Sequence, residues 1–185
     1  MAASVDNIIA LPGNVEIWDG AAWVSLGRSV EDTASFAKVS NVEPIMDDQN
    51  AAPETMQFRG TSCRLTVTLE ETCGDMEEFL NPLDSVTTYS TEQVFVVVSP
   101  SKPKGYLCHN EGQPVRFKPI SGLNASASTL GVLLGNALCI GETSTPLSGN
   151  QTAKKTITIV GMMTSAAGYL YKYGQQSRIS EWASP

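Results

Sequence analysis

Residues 47–71, DDQNAAPETMQFRGTSCRLTVTLEE, decide the fold class. A polar beginning leads to a glycine at position 60 and then to a regular alternation of apolar and polar residues. Leu65, Val67 and Leu69 fall on one side of this alternation. The other side carries the polar members, Arg64, Thr66, Thr68 and Glu70. A period of two is typical of a β-strand with one buried face. The stretch therefore predicts a strand over residues 58–70, preceded by a long loop over residues 45–57.

The composition predicts one β-rich globular domain. The chain has 185 residues, of which 42% are hydrophobic and 17% are charged. A chain of this length buries roughly 70% of its unfolded surface on folding, so its core needs no metal or disulfide. The low charge and the many Ser, Thr, Gly and Val residues are typical of β structure rather than of disorder.

Other segments show strand patterns on both sides of this stretch. Residues 15–18 and 22–26 predict a hairpin around Asp19 and Gly20, which favour a tight turn. Residues 130–140 fit both a strand and a helix, but Gly131 and Gly135 would each cost about 1 kcal/mol in a helix, which favours the strand. Further strands are predicted at residues 34–43, 93–98, 115–118 and 156–163.

One short helix is predicted at about residues 75–81. Asp75 is a good N-cap, and Glu78 stands at the capping-box position three residues later. Phe79 and Leu80 supply an apolar face, and Pro82 ends the segment. The expected fold is mainly β, a β-sandwich or barrel of two packed antiparallel sheets with this helix on its flank. The domain spans residues 15–165, between an N-terminal arm (1–14) and a C-terminal arm (166–185).

Charge is divided unevenly along the chain. Residues 1–92 carry 16 acidic and 4 basic side chains, a net charge of −12, whereas residues 93–185 carry 3 and 8, a net charge of +5. An acidic protein is poorly suited to wrap nucleic acid, which binds clustered Lys and Arg. Ordinary solubility explains such a division, and so do oppositely charged surfaces that attract neighbouring subunits.

The sequence contains no recognisable catalytic or metal-binding motif. His109 is the only histidine, and its neighbour Cys108 would point to the opposite side of a strand. Cys63, Cys73 and Cys139 are widely spaced, unlike the close pairs of zinc sites. Phosphate-binding glycine motifs and a basic-apolar leader are absent from the sequence, and no apolar run is long enough for a transmembrane helix. We therefore expect no enzymatic activity, no cofactor and no membrane anchor.

The order of these features resembles the tail tube (major tail) proteins of long-tailed bacteriophages. The resemblance rests on WVSLG at residues 23–27, on an Asp-x-x-x-x-Pro loop at residues 48–53, and on the glycine-initiated strand of residues 60–71. The short helix follows in the same order. The similarity covers mainly residues 15–98 and more loosely residues 156–161.

The resemblance implies a virion structural protein. Subunits of this family form rings, usually hexamers, which stack into a tube that conducts DNA during ejection. Partners would be other copies of the chain and further tail proteins (tape measure, terminator, and baseplate or sheath), with assembly in the host cytoplasm and a final place in the virion tail. DNA would pass through the lumen without sequence-specific contacts.

Three groups of residues become candidates for contacts in such an assembly. The loop that would reach an adjacent subunit or ring contains Asp47, Asp48, Gln49, Asn50, Pro53 and Glu54. The strand face that would line the lumen contains Arg64, Thr66, Thr68 and Glu70. The C-terminal arm would make its contacts through Tyr171, Tyr173 and Trp182.

Two other functions fit the same sequence. A capsid decoration or tail-terminator protein would share the β-rich fold and would not polymerise into a tube. A glycan- or ligand-binding β-sandwich would use Trp18, Trp23 or Trp182 as stacking platforms.

Overall fold

The computed structural model describes residues 12–30, 33–46, 53–70, 79–89, 95–119, 130–140, 154–163 and 168–185. These ranges hold ten strands: β1 (Gly13–Trp18), β2 (Trp23–Arg28), β3 (Ser35–Met46), β4 (Pro53–Leu69), β5 (Asp84–Tyr89), β6 (Phe95–Pro100), β7 (Gln113–Pro119), β8 (Leu130–Cys139), β9 (Lys155–Gly161) and β10 (Tyr171–Gln175). Short 3₁₀ turns lie at Cys108–Glu111, Gln176–Arg178 and Ser180–Trp182. The prediction of a mainly β protein is confirmed.

The large sheet is antiparallel, and its first strand, β2, also meets β4. Seven of its eight strands follow the order β2-β1-β7-β8-β9-β4-β3, and the eighth, β10, pairs with β8 off this path. Ser29, directly after β2, forms a bridge to Leu69 of β4, and the Val30 amide donates to the Thr68 carbonyl at 2.8 Å. Six strands, β2-β1-β7-β8-β9-β4, therefore close into a barrel, which removes open sheet edges along that path.

The barrel interior is filled by alternate residues from its strands. Leu65, Val67 and Leu69 are fully buried, as their alternation predicts, while Thr66 and Thr68 between them are half-buried and Arg64 before them is exposed. The largest buried side chains that meet them come from five other strands: Val15, Phe36, Phe117, Leu134, Ile157 and Ile159. Two packed sheets remain a prediction, since the second sheet described is the two-stranded pair of β5 and β6.

The first hairpin is confirmed, but its turn is longer than predicted. Trp18 pairs with Trp23, so residues 19–22 form a four-residue connection. The Asp19 carboxylate accepts hydrogen bonds from the amides of Ala21 and Ala22 at 2.8 and 2.7 Å. These hydrogen bonds between a side chain and backbone amides stabilise the four-residue turn, which is longer than a two-residue Asp-Gly turn.

The ambiguous segment at residues 130–140 is a strand, β8. Residues 131–139 are all buried, because β8 lies in the middle of the sheet. It pairs with β7 on one edge, and with β10 and then β9 along the other. Burial of both faces removes the polar alternation that would have identified a strand from sequence.

The prediction of a loop over residues 45–57 is wrong. β3 continues to Met46, β4 begins at Pro53, and the two strands pair up to the contact between Met46 and Pro53. Pro44, which directly follows the strand predicted at residues 34–43, lies within β3 opposite Met56. β3 is the last strand of the path, and an edge strand tolerates proline because its outward amide needs no ladder partner.

The predicted helix falls mostly outside the described residues. Phe79 and Leu80 are helical and buried in the core, while residues 75–78 lie outside the described ranges. The strand predicted at residues 93–98 is β6, which pairs with β5 from Tyr89↔Phe95 to Asp84↔Pro100. No helix among the described residues is long and apolar enough to cross a membrane.

The C-terminal segment differs from the expected arm. Residues 171–175 form β10, which pairs with residues 130–134 of β8 inside the main sheet. Tyr171 and Tyr173 pack against the hydrophobic core. The last part of the chain thus belongs to the same domain as the barrel. Residues 1–11 of the predicted N-terminal arm lie outside the described ranges, and β1 begins at Gly13.

Candidate functional site

The β3–β4 hairpin projects away from the barrel. Its base, near Phe36 and Leu65, is buried in the core. Beyond that base, residues 38–45 of β3 and residues 56–59 of β4 are exposed without interruption. A sheet that covered a core would alternate buried and exposed residues. Uninterrupted exposure shows that both faces of the distal hairpin are open to solvent.

Apolar side chains are concentrated on this hairpin. Nine large hydrophobic side chains are exposed among the described residues, and five of them lie here: Val39, Val42, Ile45, Met56 and Phe58. Phe58 is 63% exposed and Met56 is 58% exposed. By their pairing, Val42, Met56 and Phe58 lie on one face of the hairpin and Val39 and Ile45 on the other. Groups of exposed apolar residues mark interaction surfaces, whereas single ones are ordinary. We call these five residues the hairpin patch.

Part of the hairpin patch lies on the same side of the sheet as the core. Val42 lies opposite Phe58, and Pro44 lies opposite Met56. In β3 these positions follow Phe36 at intervals of two, on the side that packs inward at the base. The exposed Lys38 and Ser40 stand between Phe36 and Val42 on this side, so the apolar group at the tip is separate from the core.

A glycine bulge interrupts the regular pairing within the exposed part of the hairpin. The register shifts between Asn41 and Val42, where Gly60 pairs with Asn41 and Arg59 is the extra residue. Gly60 has φ of +129°, a conformation that L side chains rarely adopt. Arg59 then reaches Glu43 at 2.5 Å, in an ion pair whose side chains are more than half exposed. Such exposed pairs contribute little stability, so the bulge geometry rests on the glycine.

The four predicted lumen residues share one face of β4, as predicted. Arg64, Thr66, Thr68 and Glu70 alternate with fully buried neighbours. Thr66 lies opposite Thr158 of β9, and the hydroxyls of Thr68 and Thr156 are 2.9 Å apart. The face is therefore rich in hydroxyl groups, with Arg64 and Glu70 as the charged members of the predicted set. We call it the threonine face.

The predicted connector residues divide between described and undescribed parts. Asp47, Asp48, Gln49 and Asn50 lie outside the described ranges. Pro53 and Glu54 are the first two residues of β4, and Pro53 pairs with Met46. These two residues thus belong to the end of the projecting hairpin and not to a separate loop.

The predicted arm residues contact the chain's own barrel. The ring centroids of Tyr171 and Phe36 are 4.9 Å apart. Trp182 lies so close to Gly131 of β8 that a Cβ atom at this glycine would overlap its ring. Trp182 and the two tyrosines are thus positioned by intramolecular packing.

Arg116 of β7 binds the C-terminal segment, which sequence reasoning missed. Its guanidinium lies 4.2 Å from the Trp23 ring centroid and 5.3 Å from that of Trp182. It pairs with Glu16 at 2.5 Å and donates to the Trp182 carbonyl. The Trp23 indole N–H donates to the Ala183 carbonyl at 2.9 Å. Recognising this cluster required the pairing of β1 with β7, which no local pattern reveals.

The tryptophan residues proposed as glycan platforms lie in or beside this Arg116 cluster. Trp18 packs edge-to-face on Trp23, with centroids 5.5 Å apart. Arg116 covers one face of Trp23, and Trp182 is held between Arg116 and Gly131. These contacts use the aromatic rings for internal packing.

Two of the cysteines that the structure describes, Cys63 and Cys139, are buried. Cys63 is buried, and loss of solvation raises the pKa of its thiol to about 11. Such a thiol stays protonated and behaves as a small hydrophobe. Cys139 is also buried, and the part of the chain that the structure describes contains no group of three His, Cys, Asp or Glu residues able to hold a metal ion.

One polar network lies beside the first hairpin. Glu111 accepts hydrogen bonds from the Tyr106 hydroxyl and from Lys102 at 2.9 Å. The contact with Tyr106, followed by that with Lys102, lowers the pKa of the Glu111 carboxyl. The Lys102 ammonium also lies 4.8 Å from the Tyr106 ring centroid. The network fixes the residues that follow β6 against the 3₁₀ turn at Cys108–Glu111.

Comparison with known proteins adds no family assignment, because no protein-family model and no curated protein sequence matches this chain.

Proposed function

We propose that this chain is a virion structural protein, a subunit that self-assembles into stacked rings forming the tail tube of a long-tailed bacteriophage. The tube would conduct DNA during ejection. The observation that carries the proposal is the β3–β4 hairpin, which holds five of the nine exposed large hydrophobic side chains among the described residues. A single copy of the chain leaves this surface in water.

Burial of the hairpin patch in another copy would supply the driving force for assembly. Removing apolar surface from water contributes roughly 25 cal/mol per Å². Phe58 and Met56 are among the side chains that retain the most exposed area. Because the hairpin patch projects beyond the core of its own barrel, a second copy of the chain is the partner that we propose to cover it.

The edge of β3 supports a side-by-side arrangement of subunits. β3 has 12 residues and ends the sheet path, so within the described ranges its outer edge pairs with no other strand. Long apolar edge strands aggregate unless they are covered. If copies of the chain close into a ring, the same contact covers the β3 edge of every subunit. Open stacking of single molecules would leave an edge uncovered.

The threonine face supports the role of a conduit. Hydroxyl side chains keep a surface hydrated and carry no positive charge that would attract phosphate. Clustered Lys and Arg, in contrast, would bind DNA and hold it. Thr66, Thr68, Thr156 and Thr158 make most of this face uncharged. The net charge of the whole chain, −7, also disfavours binding of DNA phosphate.

The test is negative-stain electron microscopy and sedimentation velocity of the purified chain over a wide concentration range. The expected result is rings that stack into tubes with a central channel as concentration rises. Single rings that never stack would support a terminator-like protein instead. A protein that stays monomeric at every concentration, alone and with a tail initiator complex, would refute assembly as its function.

A further inference from the structure

A cavity of about 590 Å³ opens at one mouth of the barrel. Ile17 and Val24, a facing pair on the first hairpin, form one wall together with Gln113 at the start of β7. Phe79 and Pro82 form the opposite wall. Barrel mouths are common ligand sites because inward-facing side chains run out there while the wall continues. The hairpin patch does not contribute to this cavity.

Charges around the cavity are acidic in sum. The described charged residues that line it are Asp19, Asp84, Glu111 and Lys102. Lys102 pairs with Glu111, so this pair is neutral in sum. Asp19 is held by two backbone amides of its own turn. An anionic ligand would meet two uncompensated carboxylates here, which excludes phosphates and carboxylates as the favoured class.

Asp84 is the carboxylate without a partner. Its amide donates to the Asn81 carbonyl at 3.0 Å, which fixes the backbone. No described residue forms an ion pair or hydrogen bond with its side chain. Asp84 is only partly exposed, and apolar Phe79 and Pro82 line the same cavity. A carboxylate beside apolar walls attracts a cation more strongly than one surrounded by water.

We propose that the cavity binds an alkylammonium group, with the ammonium on Asp84 and the aliphatic chain against Phe79, Ile17 and Val24. A bare metal ion would find too few ligands, since no metal-binding group exists in the described residues. An aliphatic chain uses the apolar wall that a bare cation leaves empty. Two sources present this chemistry, a lysine side chain of another protein chain and a free aliphatic diamine.

The test measures binding to the monomeric protein by amide shifts in two-dimensional ¹H–¹⁵N NMR spectra, below the concentration of self-association. The ligands are butylammonium, ammonium (charge without chain) and 1-butanol (chain without charge), at constant ionic strength. We expect saturable shifts at Val24, Ser85 and Gln113 with butylammonium alone. Along the series from methyl- to butylammonium, affinity should rise up to about fourfold per added CH₂.

Asp84→Asn is the decisive variant, and Glu43→Gln on the projecting hairpin is its matched control. Asp84→Asn should weaken butylammonium binding about tenfold, and Glu43→Gln should leave it unchanged. Equal binding by wild type and Asp84→Asn would overturn the proposal, as would shifts spread over all surface carboxylates. If Asp84→Asn fails to fold, equal affinity for ammonium and butylammonium in the wild type overturns it by itself.

Two further titrations identify the source. Nα-acetyl-lysine methylamide mimics a lysine of a protein partner, and 1,5-diaminopentane mimics a free diamine. Tighter binding of the first assigns the cavity to a protein contact, and tighter binding of the second assigns it to a small molecule. Because every measurement uses the monomer, failure here leaves the proposed ring assembly untouched, and failure of assembly leaves this inference untouched.

Discussion

Val42 of β3 and Phe58 of β4 lie directly opposite each other, and each exposes at least half of its surface to solvent. Facing apolar pairs on a sheet normally stabilise it by packing against a core. This pair lies past the Gly60 bulge, beyond the end of the core, so it contributes little to the fold of one chain. The exposed apolar pair is the reason for proposing that the hairpin contacts another molecule.

Replacing Phe58 by Ser should abolish self-association without unfolding the chain. Phe58 is 63% exposed, so its loss should change the free energy of unfolding by no more than about 0.5 kcal/mol. Sedimentation velocity reports association and urea unfolding reports stability. Met163→Ser is the matched control, since Met163 is 70% exposed and lies outside the hairpin. Equal association of both variants and wild type would remove the hairpin patch from the interface.

Replacing Gly60 by Ala should destabilise the hairpin through the backbone alone. A Cβ atom at Gly60 meets no atom within 4 Å, so no steric clash contributes. Its φ of +129° is strained for alanine, and the expected cost is about 1–3 kcal/mol. Urea unfolding measures this cost, with Ser62→Ala on the same strand as control. A cost equal to that of the control would show that the bulge tolerates an L side chain.

Replacing Arg116 by Met should release the C-terminal segment. The Arg116 and Glu16 side chains are only 11% and 13% exposed, and removal of one partner leaves a buried charge. We expect a loss of about 3–5 kcal/mol of unfolding free energy and a change in tryptophan fluorescence, because Trp23 and Trp182 lose the guanidinium between them.

The double variant Arg116→Met/Glu16→Gln separates the buried charge from the aromatic contacts. It should recover part of the stability without restoring the fluorescence. Arg116→Lys should restore neither the stability nor the fluorescence fully, since the lysine ammonium lacks the planar guanidinium that binds two partners at once. A loss below about 1 kcal/mol for Arg116→Met would show that the segment is held by β10 alone.

Replacing Tyr106 by Phe should raise the pKa of Glu111. The Tyr106 hydroxyl is the main cause of the lowered pKa, with Lys102 second. A lowered carboxyl pKa in the folded state means that Glu111 stabilises the fold above its ordinary pKa and loses this effect as pH falls through the folded value. ¹³C NMR titration of the carboxyl measures the shift. Tyr169→Phe serves as control, and an unchanged Glu111 titration in Tyr106→Phe would disprove the hydrogen bond.

Local patterns in the sequence predict those strands that have one buried face. Residues 63–69 of β4 and the whole of β9 alternate, and the first hairpin carries a turn signal at Asp19 and Gly20. β5 carries no comparable signal and was not predicted. The predicted strand ends at residue 43, whereas β3 continues through Pro44 to Met46; its position at an edge, where proline is tolerated, is known only from the sheet order.

The candidate sites depend on contacts between distant segments, which explains why the sequence reveals them only in part. The threonine face follows from the period of β4 alone. Exposure of Val42 and Phe58 does not, because alternating apolar residues look the same whether or not a core covers them. The Arg116 cluster and the cavity at Asp84 each gather residues from several elements. Only the closed barrel brings these residues together.

The closure of the barrel also determines the order in which the chain can fold. β1 and β7 are far apart in sequence, with Glu16 and Arg116 separated by 100 residues, and the buried half of β4 pairs with β9 near the end of the chain. On the ribosome, the apolar β3–β4 hairpin therefore emerges long before the strands that complete its base are synthesised. Pairings of such long range form late and slowly. Until β9 is synthesised, the buried half of β4 therefore lacks the strand that pairs with its second edge.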